Sequence, residues 1–213
     1  LKNNIYSEYN YFFCDGGYSN EHQKKFSSIH SQNIFYKKFT TDTNLPYDIV
    51  KKIKSSLEMI NTEYVMLADN DDFLNFYGIN KCLNYLKNNN DFDFTGGDTL
   101  FIRKSRIQNK YHLTPGQRNS KIYDSEKGKM NVVNYFSKKK YNDIVYYSIF
   151  KKDFLVTVLN KLINTKNISM NHFEIFFNIF SIFYGKFKYI KCNHYIRLHN
   201  PSGSLNAKIK KDF

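Results

Sequence analysis

The residues best suited to chemistry are three aspartates, Asp69, Asp71 and Asp72, which directly follow the apolar run Tyr64–Ala68. Carboxylates this close repel one another unless a cation compensates their charge. Ligand sets made only of oxygen suit Mg²⁺ or Mn²⁺, and such an ion typically bridges a diphosphate and neutralises a leaving group. The same residues also fit a solvated turn that starts a helix at Asn75, because Asp and Asn are common at helix starts. Spacing alone leaves both interpretations open.

Alternating strands and helices predict an α/β layered fold to position these aspartates. We predict strands over 11–14, 34–39, 64–68, 92–95, 144–150, 186–190 and 195–198, and helices that include 46–60 and 76–86. Ligands in such folds bind beyond the carboxyl ends of the strands. Three acidic or glycine-rich turns are predicted at such ends: after Cys14, after Ala68 and after Thr95.

The length of 213 residues predicts one domain over 1–213. Residues 104–130 are polar and contain Pro115, Gly116 and Gly128. They are predicted to form a long loop or lid, and loops of that length are usually functional or mobile.

The composition narrows the class of partner. There are 32 Lys and Arg against 19 Asp and Glu, a net charge of +13, which suits nucleic acid, an anionic membrane surface or a phosphate-bearing small molecule. The lysines are dispersed, and AT-rich codon usage explains their excess equally well. The 18 Tyr and 20 Phe could stack on bases, but they fall within apolar runs, so a nucleic-acid-binding module is the weaker alternative and we expect no nucleic-acid partner. Three scattered cysteines without a C-x-x-C pair fit a reducing compartment.

The stretch 62–74, TEYVMLADNDDFL, resembles the D-x-D segment of family 2 glycosyltransferases, a GT-A fold family. The turn at 15–19 is similar to an earlier aspartate turn of that family, and 171–174 falls where the family places its catalytic acid at the start of a late helix. The strand Tyr195–Arg197 resembles one bacterial branch. The resemblance covers roughly residues 10–200. It implies a GT-A-like α/β fold, a mixed sheet flanked by helices, as in other nucleotide-diphospho-sugar transferases.

The resemblance also implies roles for individual residues. Asp71 would be the main ligand of a Mn²⁺ or Mg²⁺ ion, Asp69 would hold the ribose or the metal, and Asp72 would support the site. Asp15 would contact the nucleotide base. Glu174 would be the general base that deprotonates the acceptor hydroxyl, giving inversion at the anomeric carbon.

Several further residues are candidates for the same site. Arg197 could bind the diphosphate, since its fork suits phosphate oxygens, although an ion pair on the strand surface is an equal alternative. Lys54, or its neighbours Lys51 and Lys52, could supply the positive charge that the family carries before the D-x-D strand. His199, or His194, could reach the metal or the diphosphate. Asp98 could approach the acceptor, although a simple turn explains it as well.

The resemblance implies a cytoplasmic hexosyltransferase of surface-polysaccharide synthesis, with a nucleotide-sugar donor and a glycan or lipid-linked acceptor. Peripheral contact with an anionic membrane at its inner face is a further expectation. The first predicted strand begins at residue 11, where family members have an additional strand and helix ahead of it. We therefore expect an N-terminally truncated domain, and an inactive glycosyltransferase-like domain remains an alternative.

Overall fold

The computed structural model describes residues 8–17, 20–29, 32–39, 46–104, 110–115, 125–136, 145–165 and 168–199. The chain divides into two compact units, and each is described by itself. Unit 1 comprises residues 1–62 and 159–173, and unit 2 comprises residues 63–158 and 174–213.

Unit 1 contains a parallel pair of strands, β1 (Tyr11–Asp15) and β2 (Ile34–Lys38), joined through helix α1 (Glu21–Ser27). Parallel strands require such a crossover connection. Helix α2 (Pro46–Leu57) lies against β1. It begins at Pro46, as predicted, because a fixed φ and a missing N–H suit the first turn of a helix.

Unit 2 contains a mixed six-stranded sheet with the strand order β3-β7-β5-β8-β4, and β6 pairs with β5. Strands β5 and β8 are parallel, and the other pairs are antiparallel. The bounds are Tyr64–Met66 (β3), Phe73–Leu74 (β4), Phe94–Lys104 (β5), Tyr111–Pro115 (β6), Ile149–Lys151 (β7) and Phe187–His199 (β8). The predicted mixed α/β architecture is confirmed.

The remaining helices are α3 (Phe76–Asn88), α4 (Gly128–Phe136), α5 (Lys152–Ile163) and α6 (Met170–Tyr184), of which the end of α5 and the start of α6 belong to unit 1. An aromatic cluster forms the core of unit 2, in which the Phe94 ring lies 5.2 Å from Phe150, 5.5 Å from Phe154 and 5.0 Å from Phe187. In the described parts of the chain no helix is both long and apolar enough to cross a bilayer.

Two sequence predictions about the central strands are wrong. The glycines at 96 and 97 do not close a strand, since β5 continues through them with an irregular register between Gly96 and Thr99. A Cβ atom on Gly97 would lie 2.2 Å from the carbonyl oxygen of Cys192. Glycine is therefore required there for close approach of β8, not for a turn. Strand β8 is likewise one strand of 13 residues, where the sequence predicted two short ones.

Part of the predicted loop over 104–130 has regular structure. Strand β6 pairs with β5, and a short helical turn, Ser125–Lys127, leads into α4. The intervening residues 105–109 and 116–124 lie outside the described residues, so the lid remains a prediction.

Candidate functional site

The three aspartates lie together in the connection between β3 and β4. One carboxylate oxygen from each of Asp69, Asp71 and Asp72 lies within 4.8 Å of the others. The Asp72 N–H donates to the Asp69 carbonyl at 3.4 Å, which closes a tight turn. Asp71 is exposed. An oxygen-only set of this spacing fits a hard divalent cation such as Mg²⁺ or Mn²⁺.

Strand β8 delivers a tyrosine to this cluster. Strand β4 follows Asp72 directly and pairs with β8, with Leu74 opposite Tyr195. The Tyr195 hydroxyl donates to Asp72 Oδ2 at 2.6 Å and accepts from the Asp69 N–H at 3.0 Å. The Leu198 N–H donates to Asp72 Oδ1 at 2.8 Å. Both oxygens of Asp72 are therefore held, and one phenol joins the two ends of the aspartate turn.

A second tyrosine holds Asp69. The Tyr147 hydroxyl donates to Asp69 Oδ2 at 2.5 Å, and its ring stacks on Tyr195 with centroids 4.1 Å apart. Burial, and after it the charge of Asp69, raises the pKa of Tyr147, so this phenol remains a donor at neutral pH. Sequence reasoning missed Tyr147, which lies in an apolar run, and it noted Tyr195 only as part of a motif.

The electrostatics of the cluster favour a bound cation. Burial raises the pKa of Asp72, and the charges of Asp69 and Asp71 raise it further, although the hydrogen bonds from Tyr195 and Leu198 oppose the shift. A divalent cation would offset the repulsion between these carboxylates. The cluster thus offers a metal ion two carboxylates that are fixed by hydrogen bonds and one carboxylate that is exposed.

Glu174 lies near the start of α6 and faces Arg197 of β8. The Arg197 Nη2 and Glu174 Oε1 atoms are 3.5 Å apart, and the guanidinium carbon lies 5.4 Å from the centroid of the Tyr147 ring. Burial raises the pKa of Glu174, and the charge of Arg197 lowers it without cancelling the shift. The Glu174 side chain is still 45% exposed. It is therefore a carboxylate that solvent or a ligand can reach, with enhanced basicity.

His194 supports this arrangement from the interior of the sheet. The Gly97 N–H donates to His194 Nδ1 at 3.1 Å, so the other ring nitrogen, Nε2, donates to the Tyr147 carbonyl at 2.9 Å. Burial lowers the pKa of His194, which keeps it neutral. Both nitrogens are occupied, so a structural role replaces the metal role that we had allowed for this histidine.

The remaining predicted residues of unit 2 lie on the same two strands. Asp98 is 4% exposed and accepts from the Tyr189 hydroxyl at 2.7 Å. It is thus a buried member of β5, and its contact with an acceptor remains a prediction. His199 is the last residue of β8, opposite Arg103 of β5. Its predicted metal contact also remains a prediction.

Unit 1 holds the two other predicted residues. Asp15 ends β1, where its Oδ2 accepts from Tyr36 at 2.5 Å and Lys38 at 3.2 Å, and its Oδ1 accepts from the Gly17 N–H at 2.7 Å. Burial opposes ionisation of Asp15, but these hydrogen bonds outweigh it and lower the pKa. Lys54 lies in the last turn of α2. Their roles with a nucleotide remain predictions.

Comparison with solved structures shows the fold. The chain is similar to S. aureus TarS 1–349, with a TM-score of 0.59, 12% identity and coverage of 90% of this chain and 52% of that one. The UDP complex of TarS 1–349 gives the same TM-score and identity over 92% of this chain and 53% of that one. A further TarS structure gives a TM-score of 0.51 and 11% identity, with coverage of 92% of this chain and 32% of that one. TarS is a glycosyltransferase, and the likeness supports a GT-A-like fold for this chain.

The chain spans about half the length of those TarS 1–349 chains. No known family model matches the sequence, and no curated protein matches it.

Proposed function

We propose that this chain is a metal-dependent, inverting glycosyltransferase. The observation that carries the proposal is the aspartate cluster with Glu174 and Arg197 beside it, in a chain with a GT-A-like fold. A hexose would be transferred from a nucleotide-sugar donor to a hydroxyl of a glycan or lipid-linked acceptor.

The metal would be Mn²⁺ or Mg²⁺, held by Asp71 with Asp69 and Asp72. When bound, it would neutralise the charge that develops on the leaving diphosphate. Tyr147 and Tyr195 would keep Asp69 and Asp72 in place, because their hydroxyls hydrogen-bond both carboxylates. Partners that orient metal ligands in this way typically change metal affinity by about 10- to 100-fold.

Glu174 would act as the general base. It would take the proton from the acceptor hydroxyl as that oxygen attacks the anomeric carbon from the face opposite the diphosphate. The bond from the anomeric carbon to the diphosphate oxygen breaks in the same step, so the configuration inverts and no covalent enzyme intermediate forms. Arg197 would hold the Glu174 carboxylate in position and contribute positive charge near the diphosphate.

A uridine nucleotide is the first donor to test, because TarS has been solved with UDP. Asp15 would meet the base and Lys54 would add charge for the donor, as the family resemblance implies. We further propose a cytoplasmic location with peripheral contact at the anionic inner face of a membrane, supported by the net charge of +13.

Glu174→Gln tests the chemical step. The amide keeps the size of the side chain but cannot accept a proton, so we expect turnover of a UDP-hexose to fall by about 10²- to 10⁴-fold, the usual contribution of general-base catalysis. UDP affinity should be unchanged. The measurement is UDP release with Mn²⁺ across a panel of UDP-hexoses, and Glu58→Gln, an exposed glutamate of unit 1, is the matched control. Wild-type turnover by Glu174→Gln would refute this mechanism.

A further inference from the structure

The β5–β6 hairpin extends the site face of the sheet beyond Arg197. Phe101 of β5 lies opposite Arg197 of β8 on one side and Thr114 of β6 on the other. Arg103 and His112 form the next pair along the same two strands. Cross-strand partners project to the same face of a sheet, and so do residues two apart on one strand. Phe101, Arg103, His112 and Thr114 therefore continue the face that carries Arg197, and we call these four residues the hairpin surface.

The opposite face of the hairpin carries aliphatic residues and, at its end, the exposed Tyr111. Ile102 lies opposite Leu113 and Leu198 in the same register, and all three alternate with residues of the hairpin surface. The strands thus place Arg103 and His112 on the side of Glu174 and the aliphatic residues Ile102 and Leu113 on the other side.

The hairpin surface is accessible and positively charged. Arg103 and His112 are exposed, and the Arg103 guanidinium carbon lies 5.3 Å from the centroid of the Phe101 ring. A guanidinium over a ring keeps its N–H edge available for an anion. Residues 99–123 contain six Lys or Arg and no Asp or Glu. No carboxylate of this segment competes with a ligand for Arg103.

The sheet order separates the hairpin surface from the metal cluster. Asp72 directly precedes β4, which pairs with one edge of β8, and β5 and β6 continue from the other edge. Neighbouring strands lie about 4.8 Å apart, so β5, which carries Phe101 and Arg103, lies one strand spacing from β8, and β6 lies about 10 Å from β8. Arg197 and Glu174 therefore stand between the aspartates, where the donor diphosphate would bind, and the hairpin surface. A group on the hairpin surface would belong to the acceptor.

We infer that the hairpin surface binds an acceptor glycan that carries anionic groups, either phosphate or carboxylate, with Arg103 as the principal anion contact. The Phe101 ring supplies a face on which the sugar ring packs. This inference rests on the proposed function and adds the chemical class of its acceptor.

Binding measurements on four proteins test the inference. The probes are trigalacturonate, which carries carboxylates, glucose 6-phosphate, which carries a phosphate, and neutral maltotriose. Calorimetric titrations at low salt compare wild type with Arg103→Gln. Lys129→Gln removes an exposed cation on α4, and Leu113→Gln alters β6 on its apolar face, so these two variants are the controls.

We expect wild type to bind at least one anionic probe and to bind maltotriose far more weakly. Arg103→Gln should lower the affinity for the anionic probe by about tenfold, the effect of one charge-assisted hydrogen bond. The two control variants should bind this probe as tightly as wild type does. Preference for glucose 6-phosphate or for trigalacturonate would support the inference and identify the group as phosphate or carboxylate.

Two results would overturn the inference: equal binding by wild type and Arg103→Gln, or no binding of either anionic probe by wild type. UDP binding with Mn²⁺ is measured on the same samples. If UDP binds while neither anionic probe binds, the inferred class of acceptor is wrong and the proposed transferase function stands. If UDP does not bind either, the proposed function is also refuted.

Discussion

One phenol group connects the aspartates of the candidate site. The Tyr195 hydroxyl contacts both Asp72 Oδ2 and the Asp69 N–H. Tyr195→Phe removes this group and keeps the ring that stacks on Tyr147. We expect Mn²⁺-dependent UDP affinity to fall by about tenfold or more, the usual loss for such a supporting contact.

A titration of UDP at several Mn²⁺ concentrations measures this effect. Tyr184→Phe, which alters a 40% exposed tyrosine of α6, is the matched control. Identical Mn²⁺ dependence for wild type and Tyr195→Phe would contradict the role given to this phenol.

The decrease of kcat/KM at low pH should report the pKa of Glu174. Burial raises the pKa of this carboxyl above its ordinary value of 4.5. A general base acts when deprotonated, so kcat/KM should fall as the pH drops through the raised pKa. The Arg197 charge lowers the Glu174 pKa, so Arg197→Gln should raise it further and move the acid limb to higher pH. A limb that stays in place, or that moves to lower pH, would show that another group carries the proton.

For individual residues, the sequence indicated the aspartates of the candidate site more clearly than the tyrosines that hydrogen-bond to them. Asp69, Asp71 and Asp72 are recognisable because three carboxylates in four positions are chemically conspicuous. Tyr147 is not, because a tyrosine within an apolar run resembles any core aromatic. Only the pairing of β4 with β8 and the stacking on Tyr195 reveal where its hydroxyl points.

At the scale of elements, helix α3 depends on close contact with β8. A Cβ atom on Gly78 would lie 1.8 Å from the carbonyl oxygen of Asn193. Asn75 secures the same contact, since its Nδ2 donates to the Asn193 carbonyl at 2.8 Å and its N–H donates to the His194 carbonyl at 3.1 Å. The helix therefore begins next to the strand that carries Tyr195 and Arg197.

Gly78→Ala should separate these two elements. Because the obstructing atom belongs to the backbone, we expect overpacking to lower the free energy of unfolding by about 1–3 kcal/mol. Urea denaturation measures the change, and Asn84→Ala, on the exposed face of the same helix, should alter it by less than about 0.5 kcal/mol. Equal stability of Gly78→Ala and wild type would mean that α3 does not need this close approach.

The errors in strand prediction have the same physical origin. Glycines at 96 and 97 favour a turn when only local sequence is considered. The structure instead uses Gly97 to admit the Cys192 carbonyl, and pairing with β8 carries β5 on to Arg103. Local preference was overridden by tertiary contacts that no short window of sequence contains.

At the scale of the whole molecule, this chain and TarS share a fold although their sequences have little in common. The TM-score of 0.59 to TarS 1–349 comes with 12% identity. The alternation of strands and helices predicted the α/β class, because it depends on hydrophobic periodicity and not on particular residues. The strand order β3-β7-β5-β8-β4 could not be predicted from that pattern, since it depends on which distant segments pair.

The central claim is that the aspartates bind a metal that in turn holds the diphosphate of a nucleotide. Thermal unfolding with UDP, with and without Mn²⁺, tests it most directly on wild type and Asp71→Asn. A ligand that binds only the folded state stabilises it by RT ln(1 + [L]/Kd), so tighter binding raises the unfolding temperature further. We predict that UDP stabilises wild type only when Mn²⁺ is present and that Asp71→Asn loses this effect. Stabilisation by UDP that needs no Mn²⁺, or that persists in Asp71→Asn, would contradict the claim.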